Sequence, residues 1–94
     1  MNIRQLMFDV DKALQRPSLV EIAASVEAVN GVEGLSIMVT EVDMETVGME
    51  ITIEGENLSY DALVNAIEKT GAVVHSVDQL IAGKRLITPV RRVR

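Results

Sequence analysis

Between residues 41 and 56 the chain carries six carboxylates (Glu41, Asp43, Glu45, Glu50, Glu54 and Glu56) and no basic side chain. The stretch reads as a strand, a short turn near Thr46-Val47-Gly48 and a second strand over 49–55. Alternation sets Met49, Ile51 and Ile53 on one face and Glu50, Thr52 and Glu54 on the other. Same-face residues of a strand lie about 7 Å apart, close enough for their carboxylates to lean onto one ion. A turn centred on residues 46–47 predicts Asp43 opposite Glu50 and Glu41 opposite Thr52. Opposed like charges are unfavourable unless a cation sits between them. With no soft ligand in the stretch, that cation would be a hard one, Ca²⁺ or Mg²⁺. The same acids could instead be a solvated guard against edge-to-edge pairing, or a docking surface for a basic segment.

His75, the only histidine, is the other chemically capable group. Its neighbour Ser76 points to the opposite face of a strand, so the two cannot act as base and nucleophile. His75 can approach Asp9 or Asp11 only if it shares their face. No third group completes a catalytic constellation, so the expectation is a non-enzymatic protein.

Ninety-four residues make one domain, 48% hydrophobic and 24% charged, with one Phe, one Tyr, no Trp and no cysteine. The core is therefore aliphatic, and disulfides and thiolate metal sites are excluded. There is no secretory leader pattern and no apolar run of about 20 residues, so a cytoplasmic, non-membrane protein is expected. Residues 1–83 hold all fourteen acids against four bases, a net −10, whereas residues 84–94 hold five bases and no acid. The reading is a domain over 1–83 and a basic C-terminal tail over 84–94, either frayed in solvent or docked by its charge. Nucleic-acid binding on the sheet is not expected, because the domain is acidic and its one central-strand aromatic, Phe8, points at the helices.

Residues 3–11 form a first strand with Leu6, Phe8 and Val10 on one face, and Gln5, Met7, Asp9 and Asp11 on the other. Ser18 and Glu21 make a capping box for a first helix with stripe Leu19, Ile22, Ala23, Val26 and Val29, stopped at Asn30-Gly31. A second strand runs over 32–45. Its apolar parity changes near Thr40, which calls for a bulge there or an arm reaching a neighbouring subunit. After the third strand, Ser59 and Asp61 lead into a second helix with stripe Leu58, Ala62, Leu63, Ala66 and Ile67, ended by Gly71. Residues 72–80 are a fourth strand. The order β-α-β-β-α-β, with right-handed crossovers, gives an α+β ferredoxin-like sandwich: a four-stranded antiparallel sheet with two helices on one face. The uncovered face, partly apolar and partly acidic, favours association.

Gly31-Val-Glu-Gly34, Glu41-Val-Asp-Met-Glu-Thr46, Ile51-Thr-Ile-Glu-Gly55, His75-Ser-Val-Asp78 and Ala82-Gly-Lys84 together resemble a small archaeal family known only as a domain of unknown function, family 211. The resemblance runs over roughly residues 3–84 and implies a ferredoxin-like fold, a ring-like homo-oligomer and no known activity. It also implies bound divalent cations on Glu41, Asp43 and Glu45, which match the acid-rich motif. Val47-Gly48, Gln79 and Leu14-Gln-Arg16 depart from the pattern, and each departure removes potential ligands. Two functions are thus expected: a cation-binding homo-oligomeric module, or a small-molecule sensor with its ligand between subunits.

Overall fold

In the computed structural model, which describes residues 1–90, a four-stranded antiparallel sheet is backed by two helices. The elements are β1 (Ile3–Ala13), α1 (Leu19–Glu27), β2 (Val32–Val42), β3 (Thr46–Gly55), α2 (Tyr60–Glu68) and β4 (Val73–Ala82), in sheet order β2-β3-β1-β4. This is the ferredoxin-like arrangement expected from the element order.

Strand alternation decides which side chains the helices cover. Leu6, Phe8 and Val10 of β1 and Met49, Ile51 and Ile53 of β3 are fully buried, against Ile22 and Val26 of α1 and Leu63 and Ile67 of α2. β1 extends two residues beyond its predicted end and carries Lys12 into this buried face. Its ammonium donates to the carbonyls of Ala13 (3.0 Å) and Leu14 (2.9 Å), which satisfies the charge where the strand leaves the sheet.

α1 begins as its sequence requires. The Ser18 hydroxyl accepts from the Glu21 backbone N–H (3.1 Å), and the Glu21 carboxylate accepts from the Ser18 N–H (3.1 Å). The Ser18 backbone donor, then its hydroxyl, hold the Glu21 carboxyl below its usual value of 4.5. A depressed carboxylate stabilises the fold above its unfolded pKa, and that contribution is lost as pH falls through the folded value. Loss of the capping hydroxyl in Ser18→Ala should cost about 1 kcal/mol at pH 7. The difference between variant and parent in urea melts should narrow as the pH is taken below 4.5.

The hairpin differs from expectation. β2 stops at Val42, and β3 starts at Thr46 instead of Met49, so the turn is Asp43-Met44-Glu45. Asp43 closes it: its backbone N–H donates to the Thr46 carbonyl (2.8 Å), and its carboxylate accepts from the Met44 N–H (2.7 Å). Val47 is buried, which holds Val47-Gly48 in the strand although a glycine there resembles a turn. Glu41 consequently faces Gly48 and Met38 faces Glu50, replacing the predicted Glu41–Thr52 and Asp43–Glu50 pairs. Of the two causes open for the parity change near Thr40, a bulge or an arm, a bulge is present. The β2–β3 register slips between Val39 and Glu41, leaving Thr40 as an extra residue, a β-bulge.

Candidate functional site

On the sheet face away from the helices, neighbouring strands line up their polar residues in rows. One row runs Met38, Glu50, Asp9, Ser76; the next runs Glu41, Gly48, Asp11. Gly48 is a gap between two acids: a Cβ placed on it would lie 3.4 Å from an Asp11 carboxylate oxygen and 3.6 Å from the Glu41 Cβ. The Thr40 bulge turns Glu41 toward this gap, with the Thr40 hydroxyl also 3.6 Å from the same point.

His75 occupies a second irregularity. The β1–β4 register slips between Asp9 and Val10, so His75 falls between Val74 and Ser76 with no direct partner on β1. Its Nε2 lies 2.7 Å from an Asp11 carboxylate oxygen, and both side chains remain substantially exposed. Of the two acids His75 could have met, it meets Asp11. A surface pair of this kind contributes little. His75→Ala should change unfolding free energy by less than about 1 kcal/mol, read from urea melts at pH 6 and 8.

A cleft of about 340 Å³ opens at the same end of the sheet, lined by Asp11, Lys12, Glu45, Thr46, Val73 and His75 among others. The three acids singled out from the motif are thus dispersed within one chain. Glu41 flanks Gly48, Asp43 closes the turn, and Glu45 borders the cleft. Among the described residues no three His, Cys, Asp or Glu side chains converge tightly enough to hold a metal ion. Asp11, which the sequence offered only as one of two possible partners of His75, is the residue common to the Gly48 gap, the His75 pair and the cleft. Its signal was present in its strand parity, but its partners depend on two bulges.

Exposed apolar residues surround these acids. Val39, Val42 and Met44 of the hairpin are 41, 68 and 87% exposed, and Met38 on the open face is 58% exposed. Among the described residues no helix is long and apolar enough to cross a membrane.

The class defined by these features is a small ferredoxin-like α+β protein with an open acidic sheet face and an apolar-acidic hairpin arm. The chain belongs to the domain-of-unknown-function family DUF211, described as uncharacterised ArCR, whose model matches residues 4–94. It is 36% identical over 89 residues to the uncharacterised protein MJ0319 of Methanocaldococcus jannaschii, an alignment covering 95% of this chain and 91% of that one.

Proposed function

We propose that this protein is a non-enzymatic, homo-oligomeric binding module whose acidic hairpin takes a divalent cation, Ca²⁺ or Mg²⁺, at a subunit interface. The observation that carries this reading is the composition of the arm: exposed Val39, Val42 and Met44 interleave with Glu41, Asp43 and Glu45. Apolar side chains in that position gain from being covered, at about 25 cal/mol per Å² removed from water. Acids brought along with them are repelled by a second acidic arm unless a cation neutralises both. Ca²⁺ takes six to eight oxygens, more than one arm presents, so a site shared by two copies suits both the dispersed acids and the apolar contact. Glu41, Asp43 and Glu45 would supply carboxylate oxygens, and Asp11 lies across Gly48 from Glu41. The cation then adjusts assembly, closing copies into a ring.

Light scattering tests the coupling. Mass per particle should rise when Ca²⁺ replaces chelator, and Val42→Asp/Met44→Asp should have the same mass in both conditions. A mass indifferent to both changes would remove the arm from assembly. The cleft beside His75 supports a second reading, a small-molecule ligand held between subunits. That reading requires ligand binding that survives chelator.

A further inference from the structure

Among the described residues, the acidic centre of the open sheet face has no counter-charge of its own. Asp9 and Glu50 stand directly opposite one another on the two middle strands. The neighbouring acids are occupied: Glu54 accepts from the Gln5 amide (2.6 Å) and Asp11 is paired with His75. Among the described residues the ion pairs are Arg4–Glu56 and His75–Asp11, so neither Asp9 nor Glu50 meets a cation. Like charges directly across a strand pair destabilise it. Beside this row lies a shallow hollow of about 240 Å³ over Gly34, Ser36, Thr52 and Glu54, where Gly34 contributes no side chain. Met7 and Met38 add apolar surface to the same face.

Five of the chain's nine basic residues lie in its last eleven positions. The backbone N–H of Gly83 donates to the Asn2 carbonyl (2.8 Å), and the Lys84 carbonyl accepts from the Arg4 guanidinium (3.0 Å). These bonds root the C-terminal segment at the end of β4. Beyond them residues 84–90 belong to no helix or strand and are exposed, with Ile87 at 64% and Val90 at 96%. Arg91, Arg92 and Arg94 follow, outside the described residues. By Val90 the segment is almost fully exposed and lies outside every strand. Eleven residues span up to about 36 Å when extended, enough to cross a neighbour's sheet. Pro89 fixes its φ near −65° and has no N–H to leave unsatisfied.

We propose that the basic segment 84–94 of one copy lies across the open sheet face of a second copy, its arginines neutralising the Asp9–Glu50 row. A guanidinium presents a planar fork that can bridge two carboxylates, and it loses less hydration energy on burial than an ammonium. Leu86, Ile87 and Val90 cover Met7, Met38 and the Gly34 hollow. This contact is independent of the cation at the hairpin: it uses another acidic row and needs no metal.

The absence of cysteine from the sequence makes a direct test available. Thr52→Cys places a thiol on the open face beside Glu50, and Val93→Cys places one among the arginines, with every charge retained. The two full-length variants are mixed in chelator, oxidised mildly and run without reducing agent. The expected result is a Thr52→Cys/Val93→Cys cross-linked dimer that exceeds either homodimer. It should be lost in about 1 M NaCl, where the Debye length is about 3 Å, and when Asp9→Lys/Glu50→Lys is added to the Thr52→Cys chain. A mixed dimer no more abundant than the homodimers would overturn the proposal. So would equal cross-linking to Val20→Cys, on exposed α1 surface, or a chain carrying both thiols that closes on itself as a monomer. Because chelator is present throughout, failure of the cation reading leaves this result unaffected.

Discussion

Gly55→Ala is expected to leave little folded protein at room temperature. Gly55 ends β3 and pairs with Val32, and its Cα faces the backbone of the α1–β2 turn. A Cβ there would penetrate the Gly31 carbonyl and meet the Leu58 side chain at 3.0 Å. Neither backbone can yield cheaply. Gly31 has φ +92°, which a residue with a Cβ adopts at a cost, and its carbonyl accepts from the Glu56 N–H (3.0 Å). Moving the turn would break that bond and unseat the start of β2. The expected cost exceeds about 4 kcal/mol, the class of effect reserved for overpacking and backbone strain. That is most of the stability of a small domain, usually about 5–15 kcal/mol. Circular dichroism melts should show a midpoint lowered by about 20 °C or more, or no transition. Gly34→Ala is the comparison, since a Cβ there meets nothing within 4 Å; it should stay within about 0.5 kcal/mol of the parent. A Gly55→Ala protein that melts like its parent would show that the two backbones do not approach as described.

Phe8→Ala is the second large effect. Phe8 is fully buried on β1, an inner strand of the sheet, opposite Ile51 on one side and Val77 on the other. Its ring lies 6.0 Å from that of Tyr60, the only other aromatic in the chain. In a core otherwise built from aliphatic side chains no neighbour is large enough to fill the space a lost ring leaves. Truncation should cost about 3–5 kcal/mol, with the slope of urea unfolding unchanged because the same surface is exposed. Met7→Ala, one residue away on the open face, should cost less than about 1 kcal/mol. Equal losses at the two positions would mean that both faces of β1 are packed alike.

These contrasts mark what could be read directly from the chain. Period-two alternation in a strand is a strong constraint when one face is buried. It placed Leu6, Phe8 and Val10, and Met49, Ile51 and Ile53, on the helix side. The Ser18–Glu21 box is local and needs no tertiary information. An irregularity at Thr40 was visible because apolar parity cannot change sides within a regular strand, although parity alone did not separate a bulge from a projecting arm. The hairpin register was not legible. Thr46-Val47-Gly48 has turn composition, whereas Val47 is held in β3 by burial, and Asp43 closes the chain earlier. Burial depends on what lies across the sheet, and local composition does not record it. The site depended on the same information. The approach of Asp11 to Glu41 follows from the shifted register, and the contact between Asp11 and His75 follows from the slip beside Val74. The burial of Lys12 was not legible for a related reason: its charge is satisfied by the carbonyls of Ala13 and Leu14 at the strand end, which only the fold brings to it.

The central claim, a divalent cation on the acidic hairpin, is tested most directly by calorimetric titration of Ca²⁺, then Mg²⁺, into chelator-stripped protein, with Glu41→Gln/Asp43→Asn alongside. The account predicts saturable heat for at least one ion, a stoichiometry below one per chain if copies share the site, and loss of that heat in the double variant. Heat no greater than dilution for both ions, or saturable heat unchanged by the double variant, would contradict it and return Glu41, Asp43 and Glu45 to the role of a charged edge.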